Sequence, residues 1–200
     1  MKKSLFAAVT ILSAFALFAD GEININGKFQ PDPQKKDFPH TWYSQHTALK
    51  NEQGKVQVTL SEPDENGVRV LTVVTSPDFK KEDKSRWKNF CIYTTNVKDM
   101  QTVKGDEFII TAEIAGEGNA YFGLLGYGTP STYKTTKITR EFQKVSLNWT
   151  TKVVKNASGK ASYRVFFEFT PGSSIKIRNV KLFKKSAPAQ TEAKTEAPAK

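Results

Sequence analysis

The side chains able to do covalent or acid-base chemistry are few and scattered. His40 and His46 share an early segment with Asp37, Trp42 and Tyr43, but their spacing matches no helical metal pair, and no serine occupies a Gly-x-Ser-x-Gly turn. Both histidines read as surface loop residues. Hydrolysis of a glycosidic bond needs two carboxyl groups facing each other, and Glu113, Glu141 and Glu168 are the acids that strand pairing could bring together. Outward, solvated positions account for them more simply, so no catalytic role is expected. Cys91 is the single cysteine and has neither a partner cysteine nor a nearby histidine; it reads as a strand-buried thiol.

Aromatic side chains offer a different chemistry, because a ring gives a flat apolar surface whose edge can be flanked by hydrogen-bonding groups. The stretch AYFGLLGYGTPSTY, Ala120 to Tyr133, sets Tyr121, Gly123, Leu125 and Tyr127 on one side of an extended chain. Gly123 then leaves a gap between bulky neighbours or marks a close approach by ligand or backbone. Tyr133 follows across a Gly-Thr-Pro-Ser loop and is placed to flank the same gap. Trp42 and Tyr43 in the early loop, and Trp87 within Lys84 to Lys88, are set among polar residues rather than in an apolar alternation. Trp42 has a second reading, as a plug at one end of the core. In the run Tyr163 to Phe169, Arg164, Phe166 and Glu168 lie opposite Tyr163, Val165, Phe167 and Phe169, forming a mixed surface for a polar ligand. Trp149 continues the Val145-Leu147 side and is expected in the core. The candidate ligand-binding residues are therefore Trp42, Tyr43, Trp87, Tyr121, Tyr127, Tyr133, Arg164, Phe166 and Glu168.

The elements that must carry these residues are strands. Period-two runs occur at Val56–Leu60, Val68–Val74, Phe90–Tyr93, Phe108–Ile114, Ala120–Tyr127, Val145–Trp149, Tyr163–Phe169 and Ile175–Phe183, and helical periodicity is nearly absent. About eight short strands at regular spacing predict a β-sandwich or barrel. Pro31, Pro33, Pro39, Pro63, Pro77, Pro130 and Pro171 are expected between strands, where no ladder N–H is lost. Phe166 to Phe183, with Pro171-Gly172 at its centre, reads as a closing β-hairpin.

The two ends stand outside this domain of residues 20–185. Met1-Lys2-Lys3 followed by the apolar Leu5 to Ala19 has the form of a signal peptide over residues 1–19. The apolar run is shorter than the roughly 20 residues that span a bilayer, so no membrane span is expected. Residues 186–200 hold Ala, Pro, Thr, Glu and Lys without a large apolar side chain and read as a disordered tail. Export to a bacterial periplasm or beyond is the expectation, and one cysteine means that a buried core rather than disulfides must hold the fold. The formal charge of +10 loses two units with Lys2 and Lys3, and only five basic residues are arginine. Scattered lysines give a solvated basic surface rather than a nucleic-acid site.

Four pieces of sequence occur in a familiar order: Asn26-Gly27-x-Phe29 with Pro39-x-x-Trp42, Val103-Lys104-Gly105-Asp106-x-Phe108, Arg140-Glu141-Phe142-Gln143-x-Val145, and Ile175-x-Ile177-x-Asn179-Val180-x-Leu182. In this the chain resembles the galactose-binding-like jelly-roll domains, and among them the carbohydrate-binding modules appended to secreted glycoside hydrolases. The resemblance implies an all-β jelly-roll sandwich of two antiparallel sheets, no enzyme activity, and a polysaccharide or oligosaccharide as partner. Such modules often carry Glu after the opening Phe and Asp before the closing Val, where these help hold a structural calcium; Gln30 and Asn179 stand there in this chain, so no metal or other cofactor is expected. The alternative is a structural or protein-interaction module of the same fold, held to an anionic cell envelope by its positive surface.

Overall fold

A computed structural model describes residues 21–44, 54–79, 89–95, 100–154 and 161–185. Fourteen strands lie among them, and all eight runs expected from the sequence are strands. One sheet, sheet I, has the order β12 (Gln143–Thr150), β9 (Glu107–Glu117), β14 (Ser174–Lys185), β6 (Leu71–Thr75) and β5 (Val56–Leu60), with β1 (Glu22–Ile23) added to β14. Sheet II has the order β11 (Thr132–Lys137), β10 (Asn119–Tyr127), β13 (Ala161–Phe169), β7 (Phe90–Thr94) and β4 (Trp42–Ser44), with β8 (Gln101–Thr102) added to β13. Every pairing is antiparallel. A separate ribbon pairs β2 (Pro31–Asp32) with β3 (Lys35–Pro39). Pro31 and Pro39 form its end rung rather than lying outside strands, which a two-stranded ribbon tolerates because its outer N–H groups have no partner to lose. The second run, expected from Val68, begins later, at Leu71 of β6, since Val68 to Val70 turn back toward Ser61.

The two sheets pack face to face over one core. Phe108, Ile110, Ala112 and Ile114 of β9 and Ile175, Ile177, Val180 and Leu182 of β14 face Ala120, Phe122 and Leu124 of β10 and Tyr163, Val165, Phe167 and Phe169 of β13. The inward set of β14 slips by one residue between Ile177 and Val180. A β-bulge between Arg178 and Lys181 absorbs it, with Asn179 at φ 51°. Trp149 packs at the margin of this core, its indole N–H donating to the Tyr163 hydroxyl at 2.7 Å.

The stretch Phe166 to Phe183 is not a hairpin. β13 pairs with β10 and β7 in sheet II, and β14 pairs with β9 and β6 in sheet I, so Pro171-Gly172 turns the chain across the core from one sheet to the other. Two alternating runs around a turn describe either arrangement equally well. Here both runs are apolar on one side only, and both bury that side by facing each other across the sandwich rather than lying edge to edge. The same switch of sheets occurs between β9 and β10 at Gly118.

At the Val103 to Phe108 motif the carboxylate of Asp106, 1% exposed, accepts from the Val103 N–H at 3.0 Å and the Thr102 hydroxyl at 3.2 Å and lies 2.9 Å from the Lys184 ammonium. Lys184 also donates to the Gln101 carbonyl at 2.7 Å. The last strand is thereby fixed to the turn that starts β9. Removing one partner of a buried pair strands the other, which typically costs about 3–5 kcal/mol. Asp106→Asn should therefore lower the urea midpoint by the equivalent of about 3 kcal/mol, and a loss below about 1 kcal/mol would show that the ion pair does not hold the strand.

Candidate functional site

The outer face of sheet II collects most of the aromatic residues singled out from the sequence. Inward packing of Ala120, Phe122 and Leu124 fixes Tyr121, Gly123, Leu125 and Tyr127 on the outside of β10, and inward Tyr163 to Phe169 fixes Ser162, Arg164, Phe166 and Glu168 on the outside of β13. Strand register then draws one rung across five strands: Tyr43 on β4 opposes Tyr93 on β7, Tyr93 opposes Phe166 on β13, Phe166 opposes Gly123 on β10, and Gly123 opposes Tyr133 on β11. At about 4.8 Å between strands, that rung is about 19 Å long. The adjacent rung runs Cys91, Glu168, Tyr121, Thr135.

Ring contacts tie these side chains together. Tyr43 and Tyr93 have centroids 5.8 Å apart, and Tyr121 and Tyr133 meet edge to face at 5.8 Å. The Arg164 guanidinium lies 5.2 Å from the Tyr93 ring centroid and 4.6 Å from that of Tyr127, a double cation-π contact that holds a charged donor group flat on the face. On the other side of Phe166, the Glu168 carboxylate accepts from the Asn89 side-chain amide at 2.8 Å. Tyr43, Tyr127 and Tyr133 are exposed, whereas Phe166, expected on a surface open to a ligand, is 1% exposed although it lies outside the core cluster, so its ring is covered. Burial raises the Tyr93 phenol above its ordinary value of 10.0, the nearby Arg164 charge offsetting only part of this, so the hydroxyl stays protonated at neutral pH.

Seven of the nine sequence candidates thus share one face: Tyr43, Tyr121, Tyr127, Tyr133, Arg164, Phe166 and Glu168. Trp42 does not. It points inward, 4% exposed, against Phe29 and Phe167 with centroids 5.3 and 5.9 Å away, because β4 turns alternate residues in and out and Trp42 takes the inward place. Its indole N–H reaches the Asn26 carbonyl at 3.3 Å. Trp87 lies outside the described residues. Tyr93 and Asn89 belong to the face and were missed; the alternation of Phe90 and Ile92 with Cys91 and Tyr93 was the signal that Tyr93 faces outward.

Gly123 marks an approach by backbone, not an open gap. A Cβ there would lie 2.1 Å from the Thr132 carbonyl oxygen and 2.6 Å from the Tyr133 Cα, so β11 passes over the position a side chain would take. Gly123→Ala should separate β11 from β10, move Tyr133 away from Tyr121 and destabilise the fold, which amide exchange along Thr132–Lys137 would detect as lost protection; unchanged protection would contradict the close approach.

The acids do not form a hydrolytic pair. Glu168 is the only carboxylate on this face among the described residues, Glu113 lies on the outer face of sheet I, and Glu141 is exposed in the connection from β11 to β12. Burial acts to raise the Glu113 carboxyl, but hydrogen bonds from Asn179 Nδ2 at 3.0 Å and Arg178 Nε at 2.7 Å, with the Arg178 charge, outweigh it and hold the group below its ordinary 4.5. A carboxylate lowered by folding contributes stability above its unfolded value and loses it as the pH falls through the folded value. Glu113→Gln should therefore reduce stability at pH 7 while the gap to the wild type closes below pH 4.5; a gap independent of pH in urea titrations would refute this.

No protein-family model matches the chain, and no curated protein matches it. Solved structures do. The tandem CBM22-1–CBM22-2 domain of Paenibacillus barcinonensis Xyn10C aligns with 91% of this chain at TM-score 0.52 and 12% identity, covering 50% of that chain. The CBM22-1–GH10 modules of Clostridium thermocellum endo-1,4-β-D-xylanase 10B, complexed with xylohexaose, align with 84% at TM-score 0.51 and 13% identity, covering 29% of that chain. The enzymatically active domain of tailspike protein 4 from bacteriophage CBA120 aligns with 73% at TM-score 0.51 and 12% identity, covering 20%. The chain spans half or less of each of these proteins. Its two-sheet jelly-roll sandwich is the fold of carbohydrate-binding modules.

Proposed function

We propose that the chain is a non-catalytic, exported module that binds a glycan along the outer face of sheet II. The observation that carries this is the in-register rung from Tyr43 through Tyr93 and Phe166 to Tyr133, with Arg164 and Glu168 on either side of its centre. Sugar rings present C–H faces that stack on aromatic rings and hydroxyls that need partners at the ring edge. Tyrosine supplies both, Arg164 is a donor, and the Glu168 carboxylate and tyrosine hydroxyls are acceptors. Phe166 is buried at the centre and serves the face as packing rather than as open surface, and the exposed Tyr43 and Tyr133 stand at the two edges of the sheet. The single acid of the described face is one short of what glycoside hydrolysis requires, which favours binding without chemistry.

Affinity electrophoresis of the full-length protein through gels carrying neutral and acidic polysaccharides tests the reading, with Tyr93→Ala and Tyr133→Ala run beside the wild type and their folding checked by far-UV circular dichroism. Retardation by a neutral glycan, weakened about tenfold or more in the folded variants, is the expected result; tenfold corresponds to about 1.4 kcal/mol. Retardation by acidic polymers alone, abolished by salt, would support the basic-surface alternative, and migration unaffected by every polymer would reject glycan binding.

A further inference from the structure

The amino-terminal turn is closed by a side-chain amide at a place where the modules this chain resembles often hold a calcium ion. Gln30 and Asn179, the two positions flagged in the sequence, line one cavity of about 890 Å³ together with Asn26, Lys28, His40 and Lys181. A calcium ion takes six to eight oxygen ligands at about 2.3–2.6 Å, with carboxylates supplying most of the charge. The described groups do not fit that requirement. What points between the neighbouring carbonyls is nitrogen: Asn26 Nδ2 donates to the Gln30 carbonyl at 2.9 Å and to the His40 carbonyl at 2.6 Å, while Asn26 Oδ1 accepts from the Gln30 N–H at 2.9 Å. The reverse orientation of the amide would face Oδ1 with two carbonyl oxygens and Nδ2 with an N–H, so the network permits only one. The other two amides also act as donors, Gln30 Nε2 to the Gly67 carbonyl at 2.8 Å and Asn179 Nδ2 to Glu113 at 3.0 Å. Among the described residues Glu22 is the only carboxylate lining the cavity, against the ammonium groups of Lys28 and Lys181. Among the described residues no cluster of three His, Cys, Asp or Glu side chains could hold a metal ion.

We propose that the Asn26 amide does the work of a structural cation, drawing the carbonyls of Gln30 and His40 together with two N–H bonds, and that the stability of this protein is independent of divalent metal. Asn26 sits at φ 52°, a left-handed conformation that asparagine tolerates better than most residues. The turn it closes carries Phe29 into the core, where that ring is fully buried against Trp42. The staple thus joins the 26–30 turn to the turn between β3 and β4. The inference is independent of the glycan-binding reading.

Thermal unfolding of the full-length protein in EDTA and in millimolar CaCl2 tests it, with Asn26→Ala and Asn26→Asp alongside. The wild type should melt at the same temperature in both media. Asn26→Ala should fall by roughly 2–4 °C in both. Asn26→Asp should fall further than Asn26→Ala in EDTA, or fail to fold there, because a carboxylate would face two carbonyl oxygens. A wild-type midpoint that rises with calcium or drops with EDTA overturns the proposal, as does wild-type stability in either variant under EDTA.

Discussion

The corner between β13 and β14 governs the sandwich, because those strands are central to sheets II and I and only the turn after Phe169 joins them. Thr75, the last residue of β6, closes that corner. Its hydroxyl donates to the Thr170 carbonyl at 2.7 Å and accepts from the Ser173 N–H at 3.0 Å. Its own N–H donates to the Ser173 carbonyl at 2.8 Å, and its carbonyl accepts from Gly172 at 3.1 Å. Thr75 is 2% exposed and Ser173 1%, so these bonds satisfy backbone groups that water cannot reach. With the corner set, Phe167 and Phe169 face Ile175 and Ile177 across the core, and the opposite side of β13 is committed to the surface.

That commitment explains how the two outer faces come to differ. Every outward residue of β13 is the partner of an inward one, so the packing of Val165 and Phe167 presents Arg164 and Phe166 together outside. In sheet II the outward places on the neighbouring strands include Tyr93, Tyr121 and Tyr127. In sheet I they hold Lys144, Glu113, Arg178 and Lys181, where Arg178 lies 4.1 Å from the Phe142 ring centroid and bonds Glu113. One sandwich therefore presents a stacking surface on one side and a charged, hydrogen-bonded one on the other.

Much of this was legible in the sequence, and the misses share a cause. Period-two alternation located eight of the strands because each has one side turned toward the core. It could not say whether two runs joined by Pro171-Gly172 pair or face each other, since both arrangements bury the same residues. β11, Thr-Tyr-Lys-Thr-Thr-Lys, gave no strand signal because it is an edge strand whose side chains are mostly exposed. Trp42, set among His40, Thr41 and Tyr43, reads either as a surface residue or as a plug of the core, and the partners that decide for the core, Phe29 and Phe167, come from other parts of the chain. The outward places of Arg164 and Glu168 follow from the apolar run Tyr163, Val165, Phe167 and Phe169 between them, whereas the alternation of β10 alone leaves either Tyr121 or Phe122 free to face the core. That Gly123 lies under β11 depends on backbone proximity, which no single strand encodes.

The pairing of β1 with β14 sets where the two ends of the described domain leave it. Glu22 opposes Phe183, Ile23 opposes Leu182, and the Lys184 N–H donates to the Gly21 carbonyl at 2.9 Å, so both ends emerge side by side from sheet I. Tension applied between the ends would load the β1–β14 rungs one after another, as in opening a zipper, rather than shearing all of them at once. The short β1 is then a mechanical fuse: it can detach while the Asp106–Lys184 pair and the aromatic rung behind it remain in place.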